Sequence, residues 1–253
     1  MITRVAPLVL LLAWLLVACA SAPAELDALV LERLPHDSGA FTQGLLLHDG
    51  LLYESTGLYG RSSLREVDPQ SGEVLRIRAL DPALFGEGLA LVEDRLIQLT
   101  WRSGTALIYD LETFEPDGTF EYEGEGWGLC FDGESLWMSD GSATLFERDP
   151  RSFEVVDRVE VTLEGEPVTR LNELECVGEH VYANVWQTNE IVRVVKESGR
   201  VDAVVDASGL LSPQMRAVLS PDAVLNGIAY DPQRGRFLLT GKLWPAMFVV
   251  ELE

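Results

Sequence analysis

Five short motifs of one form recur along the chain, each opening an apolar run: Gln43-Gly44-Leu45, Glu87-Gly88-Leu89, Trp127-Gly128-Leu129, Asn172-Glu173-Leu174 and Asn226-Gly227-Ile228. The intervals between them are 44, 40, 45 and 54 residues. Self-similarity at that period is the signature of a β-propeller, in which each repeat is one four-stranded blade and its first strand lines a central channel. An all-β, five-bladed propeller is therefore expected, with five unlike side chains converging on one channel mouth.

The interior of each repeat agrees. In the second, β-rich runs cover Gly88 to Val92, Arg95 to Thr100, Ala106 to Tyr109 and Gly118 to Tyr122, separated by turn residues, and no long helical period appears. Hairpin punctuation recurs as His48-Asp49-Gly50, Asp132-Gly133-Glu134, Val177-Gly178-Glu179 and Asp231 to Gly235. The second strand of a blade runs antiparallel to the first and ends beside its start. Counting twelve residues on from the marker leucine reaches Gly57, Trp101, Gly141 and Trp186; the last hairpin is two residues longer, so the matching residue there is Lys242. One face of the propeller thus collects Gln43, Glu87, Trp127, Asn172 and Asn226 with Trp101, Trp186 and Lys242. Taken singly, such residues pack blades or sit in solvent, and Trp137, within a second strand, reads as core. Jointly they differ between repeats where packing residues should be alike, which points to a site.

The N-terminus reads as a leader. Arg4 supplies a positive start, and Pro7 to Ala18 is an apolar stretch too short to span a bilayer, which needs about 20 residues. It ends in Leu16-Val17-Ala18-Cys19, which resembles the lipobox of bacterial lipoproteins, with Cys19 the lipidated residue. The expected division is a signal peptide over 1–18, a lipidated cysteine and tether over 19–25, and one propeller domain over 26–253. Ala20 after the cysteine does not resemble an inner-membrane retention signal. The expected address is the bacterial cell envelope, anchored by lipid to the outer membrane and facing the periplasm. A net charge of −22 argues against binding nucleic acid or anionic lipid through a basic face.

Cys130 and Cys176 lie in first strands of neighbouring blades, one position apart in register. Adjacent strand residues point to opposite faces, so two buried free thiols are expected rather than a disulfide. Three histidines, His36, His48 and His180, are too few and too scattered for a histidine metal centre, and no cysteine cluster has zinc spacing.

The order of motifs resembles the plant and bacterial type of glutaminyl-peptide cyclotransferase. It is carried by Phe41-Thr42-Gln43-Gly44-Leu45, Phe85-Gly86-Glu87-Gly88-Leu89, Thr100-Trp101, Gly126-Trp127-Gly128-Leu129, Leu171-Asn172-Glu173-Leu174-Glu175, Ala183-Asn184-Val185-Trp186, Leu225-Asn226-Gly227-Ile228-Ala229 and Thr240-Gly241-Lys242, nearly the whole mature chain. The resemblance implies cyclisation of N-terminal glutaminyl residues of peptides or proteins to pyroglutamyl, with release of ammonia and without metal or other cofactor. Glu87 would be general acid and base, Asn172 and Lys242 the groups that polarise the carbonyl, and Gln43 the holder of the first peptide unit. Phe41, Phe85, Trp101, Trp127 and Trp186 would form an aromatic cage. Asn226 is a geometric inference only.

A second reading is a non-catalytic propeller lipoprotein that binds peptides or envelope proteins. A binding cage needs aromatics but neither base nor oxyanion donor, so Glu87, Asn172 and Lys242 separate the two. A metal-dependent propeller lactonase would want several acidic and amide ligands, and the mouth offers one carboxylate beside a lysine. Ser212 to Leu219, with Ser as cap and Pro first, reads as a short helix. It and the Glu164 to Thr169 loop are candidates to rim the entrance, a passive connection being the plainer reading. Leu29 to Leu34 is expected to supply the last blade's outer strand, closing the ring. A closed ring needs no partner, so a monomer is expected.

Overall fold

The computed structural model describes residues 22–253. The expected leader and Cys19 lie outside them. The described chain is all-β apart from one short helix. Three four-stranded meanders come first: β2 to β5 (Thr42–His48, Leu51–Thr56, Ser63–Val67, Val74–Ala79), β6 to β9 (Gly86–Val92, Arg95–Thr100, Thr105–Asp110, Pro116–Glu121) and β10 to β13 (Leu129–Phe131, Leu136–Ser139, Thr144–Arg148, Val155–Glu160). A two-stranded hairpin, β14 and β15 (Thr162–Leu163, Glu166–Pro167), follows. Next come β16 to β19 (Leu171–Val177, His180–Val185, Glu190–Val195, Val201–Asp206) and β20 to β22 (Leu225–Asp231, Arg236–Gly241, Ala246–Leu252).

The first strand of the chain, β1 (Ala24–Pro35), joins these last two groups into one eight-stranded sheet. Residues Ala24 to Asp27 pair in parallel with β19, and Ala28 to Pro35 pair antiparallel with β22. The strand therefore begins inside the stretch 19–25 expected to be a tether, because Ala24 and Glu25 already have backbone partners in Ala203 and Val204.

The hairpins obey the turn chemistry. Asp49 and Gly50 both take positive φ, 49° and 80°, the condition for a two-residue turn whose twist matches the strands it joins. The register verifies the counting: Leu45 faces Glu54, Leu89 faces Gln98, Leu129 faces Met138 and Leu174 faces Ala183, one offset throughout. Ile228 faces Leu239, two residues further, because the last hairpin is longer. First strands are buried on both faces, whereas outer strands such as β5 alternate half-buried and exposed residues. Five apolar cores lie between successive groups of strands; Leu46 and Leu64 meet Leu89 and Leu96 in one, and Ala90 and Ile97 meet Leu129 and Leu136 in the next.

Successive first strands approach closely. A Cβ on Gly88 would lie 2.4 Å from the Leu129 nitrogen, and one on Gly128 would lie 2.0 Å from the Asn172 carbonyl oxygen. The fourth repeat carries Glu173 where the others carry glycine. Its carboxylate, wholly buried, accepts the Leu45 N–H at 3.2 Å and the Ile228 N–H at 2.8 Å, tying β16 to β2 and β20.

One expectation is overturned. Cys130 and Cys176 form a disulfide, with Cα atoms 5.5 Å apart. The two strands belong to different sheets that stack face to face, not to one ladder. The face of one sheet that meets its neighbour is opposite to the face the neighbour presents, so residues one step out of register are those that can meet. Leu174, which shares a strand face with Cys176, duly packs in the same core as Cys130.

Candidate active site

Four of the five marker residues sit where their strands are bent. Register shifts interrupt the ladder between Thr42 and Gly44, Gly86 and Leu89, Leu171 and Leu174, and Leu225 and Ile228. Gln43, Glu87, Asn172 and Asn226 lie within these bulges, and Trp127 stands two residues before β10. A bulge leaves one residue unpaired and re-aims its side chain. The residues after the second strands are held at the same level by backbone bonds: Trp101 N–H donates to the Phe85 carbonyl at 2.9 Å, Trp186 to Arg170 at 2.9 Å and Lys242 to Val224 at 2.9 Å.

A cavity of about 320 Å³ opens there. Phe41, Gln43, Phe85, Glu87, Trp101, Trp127, Asn172, Trp186 and Lys242 all line it, together with Leu58, Gln187, Pro221, Asp222 and Val224. Its walls are two groups of rings. Phe85 is contacted edge-on by Phe41 (6.1 Å between centroids) and Tyr59 (5.3 Å), and lies 5.5 Å from Trp101. Trp127 and Trp186 meet edge-to-face at 5.5 Å. The glycines reached by the same count as Trp101 and Trp186 make room for these rings. A Cβ on Gly57 would fall 2.2 Å from the Phe85 ring, and one on Gly141 would fall 2.7 Å from the Trp127 indole.

At the floor, Asn226 donates from Nδ2 to the Thr42 carbonyl at 3.0 Å and to Gln43 Oε1 at 3.3 Å. Gln43 then donates from Nε2 to Glu87 Oε1 at 2.9 Å. Asn226 does not line the cavity; it orients the amide that does. Glu87 is 4% exposed, and burial drives its pKa well above the carboxylate range; attraction by Lys242 opposes this and repulsion from Glu125 adds to it. Lys242, also 4% exposed, is pushed by burial down to about 8, against the pull of Glu87 and Asp222. Its ammonium stands 4.9 Å from the Phe41 ring centroid. Asn172 has a buried Oδ1 without a partner. A carboxyl and an amine that both resist charge and face one cavity are suited to proton transfer.

Neither proposed rim element lines this cavity. The helix α1 is only Pro213–Arg216, capped by Ser212, whose hydroxyl accepts the Met215 N–H; it is the following Pro221, Asp222 and Val224 that reach the cavity. Glu164 to Thr169 lies around the β14–β15 hairpin. Sequence reasoning missed Glu125, whose side chain bonds both Trp101 and Trp127, because it lies in a connection outside the repeated frame. Leu58 and Gln187 stand one residue beyond the counted Gly57 and Trp186, and Tyr59, which packs on Phe85, two beyond Gly57, so extending the count by one or two residues would have reached them.

A glutaminyl-peptide cyclotransferase of Arabidopsis thaliana is 41% identical over 226 residues, covering 88% of this chain and 71% of that protein. The crystal structure of Myxococcus xanthus glutaminyl cyclase superposes with a TM-score of 0.86 at 39% identity, covering 91% of this chain and 98% of that one. The Pan2 WD40 domain of Neurospora crassa, at 10% identity and a TM-score of 0.50 over 83% of this chain and 74% of its own, is alike in fold alone. The glutamine cyclotransferase family model matches residues 7–252. The chain belongs to the glutamine cyclotransferase family.

Proposed function

We propose that this protein cyclises N-terminal glutaminyl residues of peptides or proteins to pyroglutamyl residues, releasing ammonia. The observation that carries the reading is Glu87: a buried carboxyl, held by Gln43, sharing an aromatic cavity with Lys242. The substrate's α-amine, whose ammonium form has an ordinary pKa near 8, attacks in its neutral form, giving one N–H proton to ionised Glu87 as its nitrogen bonds the γ-carbonyl carbon. The new C–N bond closes a five-membered ring, and the oxyanion receives hydrogen bonds from the Asn172 amide and the Lys242 ammonium. Protonated Glu87 then passes its proton to the side-chain nitrogen, the old C–N bond breaks, and ammonia leaves. Gln43 holds the first peptide unit, and Phe41, Phe85, Trp101, Trp127 and Trp186 fold the glutamine side chain back on itself and grip its amine. Among the described residues no three His, Cys, Asp or Glu side chains gather as a metal set, and the steps above route nothing through one.

We also propose the finer architecture. The sheets form a five-bladed β-propeller, β1 completing the last blade; the five cores and the pairing of β1 with β22 support it. An experimental structure with β1 unpaired would sink the closure. The protein is proposed to be a monomer anchored through lipid at Cys19 to the outer membrane, facing the periplasm, and without nucleic-acid partners. Loss of fatty-acid labelling in Cys19→Ser, with membrane fractionation and light scattering of the soluble part, tests these points.

The test of function is ammonia release with matching mass loss from a short peptide bearing N-terminal Gln. Turnover that resists a chelator and vanishes in Glu87→Gln upholds the mechanism. A folded protein that binds such peptides without turning them over would overturn it in favour of a binding protein.

A further inference from the structure

Glu125 lies in the connection between β9 and β10, outside every repeated motif, and its backbone is fixed by its neighbours: Gly126 N–H donates to the Trp101 carbonyl at 2.9 Å and Trp127 N–H to Ser139 at 3.0 Å. One oxygen of its side chain, Oε2, accepts both the Trp101 indole N–H at 2.7 Å and the Trp127 indole N–H at 3.0 Å. The other, Oε1, accepts from Arg102 Nε at 2.8 Å, and the Arg102 guanidinium lies over the Trp101 ring at 3.8 Å. Trp101 belongs to the Phe41–Phe85–Tyr59 wall and Trp127 to the Trp186 wall. A single carboxylate oxygen is therefore the node between the two halves of the cage.

We infer that Glu125 is a positioning residue for the proposed cyclisation, one that sets the spacing and tilt of the two indole walls through their N–H groups. Hydrogen bonds to an ionised acceptor are short and directional, so an indole held at its N–H keeps one ring plane where packing alone would let it rock. Burial works against the charge of Glu125, but bonds from Trp127, Arg102 and Trp101 outweigh it and hold the carboxyl below its ordinary pKa, so the acceptor stays ionised. That charge also raises the pKa of Glu87, so Glu125 acts on the base as well as on the walls. The inference rests on the cyclase reading.

The experiment is a double-mutant cycle on peptide turnover, combining Glu125→Ala with Trp101→Phe and Trp127→Phe, which keep a ring and lose the N–H. Glu125→Ala should lower kcat/KM about tenfold to a hundredfold in the wild-type background. In the doubly Phe-substituted background it should do little, since the bonds it would remove are already gone. Near-UV circular dichroism, which reads indole orientation independently of turnover, should change in Glu125→Ala while far-UV signal is kept. In Glu125→Gln, which retains one acceptor oxygen, activity should partly recover and the acid limb of kcat/KM should move to lower pH. Unchanged kinetics and indole signal in Glu125→Ala, with active wild type, would overturn the inference; additive losses in the cycle would assign Glu125 to general stability instead. An inactive wild type sinks the cyclase reading itself, a different failure.

Discussion

Glu54 and Glu87 are both buried glutamates in adjoining sheets, 2% and 4% exposed, and their surroundings push them in opposite directions. For Glu54, burial opposes the charge, but the attraction and hydrogen bond of His36 (3.0 Å), then Arg65 (3.7 Å) and the Thr42 hydroxyl (2.7 Å), win and lower its pKa. His36 in turn is raised: burial works against its charge and Glu54 outweighs it, while the ring also bonds the Trp244 carbonyl at 2.7 Å. Glu87 has one amide donor and a lysine that attracts it without overcoming desolvation. A fully compensated carboxylate joins the first strand pair to the N-terminal strand and stays ionised. An under-compensated one is costly to the fold and available for chemistry.

The largest expected effect is on turnover: Glu87→Gln should lower kcat by about 10³-fold or more, while Glu54→Gln leaves chemistry nearly intact, as read by ammonia release. Equal losses would erase the distinction between the two carboxyls. Next, Lys242→Ala should cost about 10² to 10³ in kcat, the usual loss of one oxyanion donor. The Lys242 pKa of about 8 predicts falling kcat/KM above that pH in the wild type, and Lys242→Arg should move this limb upward.

The third effect is on stability. Glu54→Gln leaves His36 buried without its counter-charge and should cost about 3 kcal/mol, some 6 to 12 °C in melting temperature. Because the folded pKa of Glu54 is depressed, its stabilisation is present above the ordinary carboxylate range and lost as pH falls through the folded value. That of His36 is present below 6.5 and lost as pH rises through its raised folded value. The melting difference should therefore peak in mildly acidic solution and shrink on both sides. The smallest effect has the opposite sign. The raised pKa of Glu87 means that ionisation weakens the fold, so Glu87→Gln should melt higher by a few degrees, the gain growing as pH climbs above the carboxylate range. Calorimetry from pH 4 to 9 on both variants checks all three slopes.

Much of the site was legible because the repeat places it. A fixed frame and a fixed hairpin length brought seven side chains to one cavity, the longer fifth hairpin leading to Lys242, while Phe41 and Phe85 came from the family resemblance alone. Glu125 was not legible: it stands two residues before Trp127 in a connection, and nothing local says that its oxygen bonds an indole from the preceding repeat. The helix was legible in its cap, Ser212 with Pro213, but not in its length: none of its four residues is fully buried, and it ends at Arg216.

The sequence by itself determined the all-β class, the five repeats and which residue each repeat would hold at the strand start, because periodicity and turn chemistry are local. Only the tertiary structure decided the ionisation of Glu54, Glu87 and Lys242, the seat of Glu173 among the glycines, and the bond between Cys130 and Cys176. Desolvation and pairing depend on groups that arrive from other repeats. Stacking sheets face to face, rather than edge to edge, settles which of them meet.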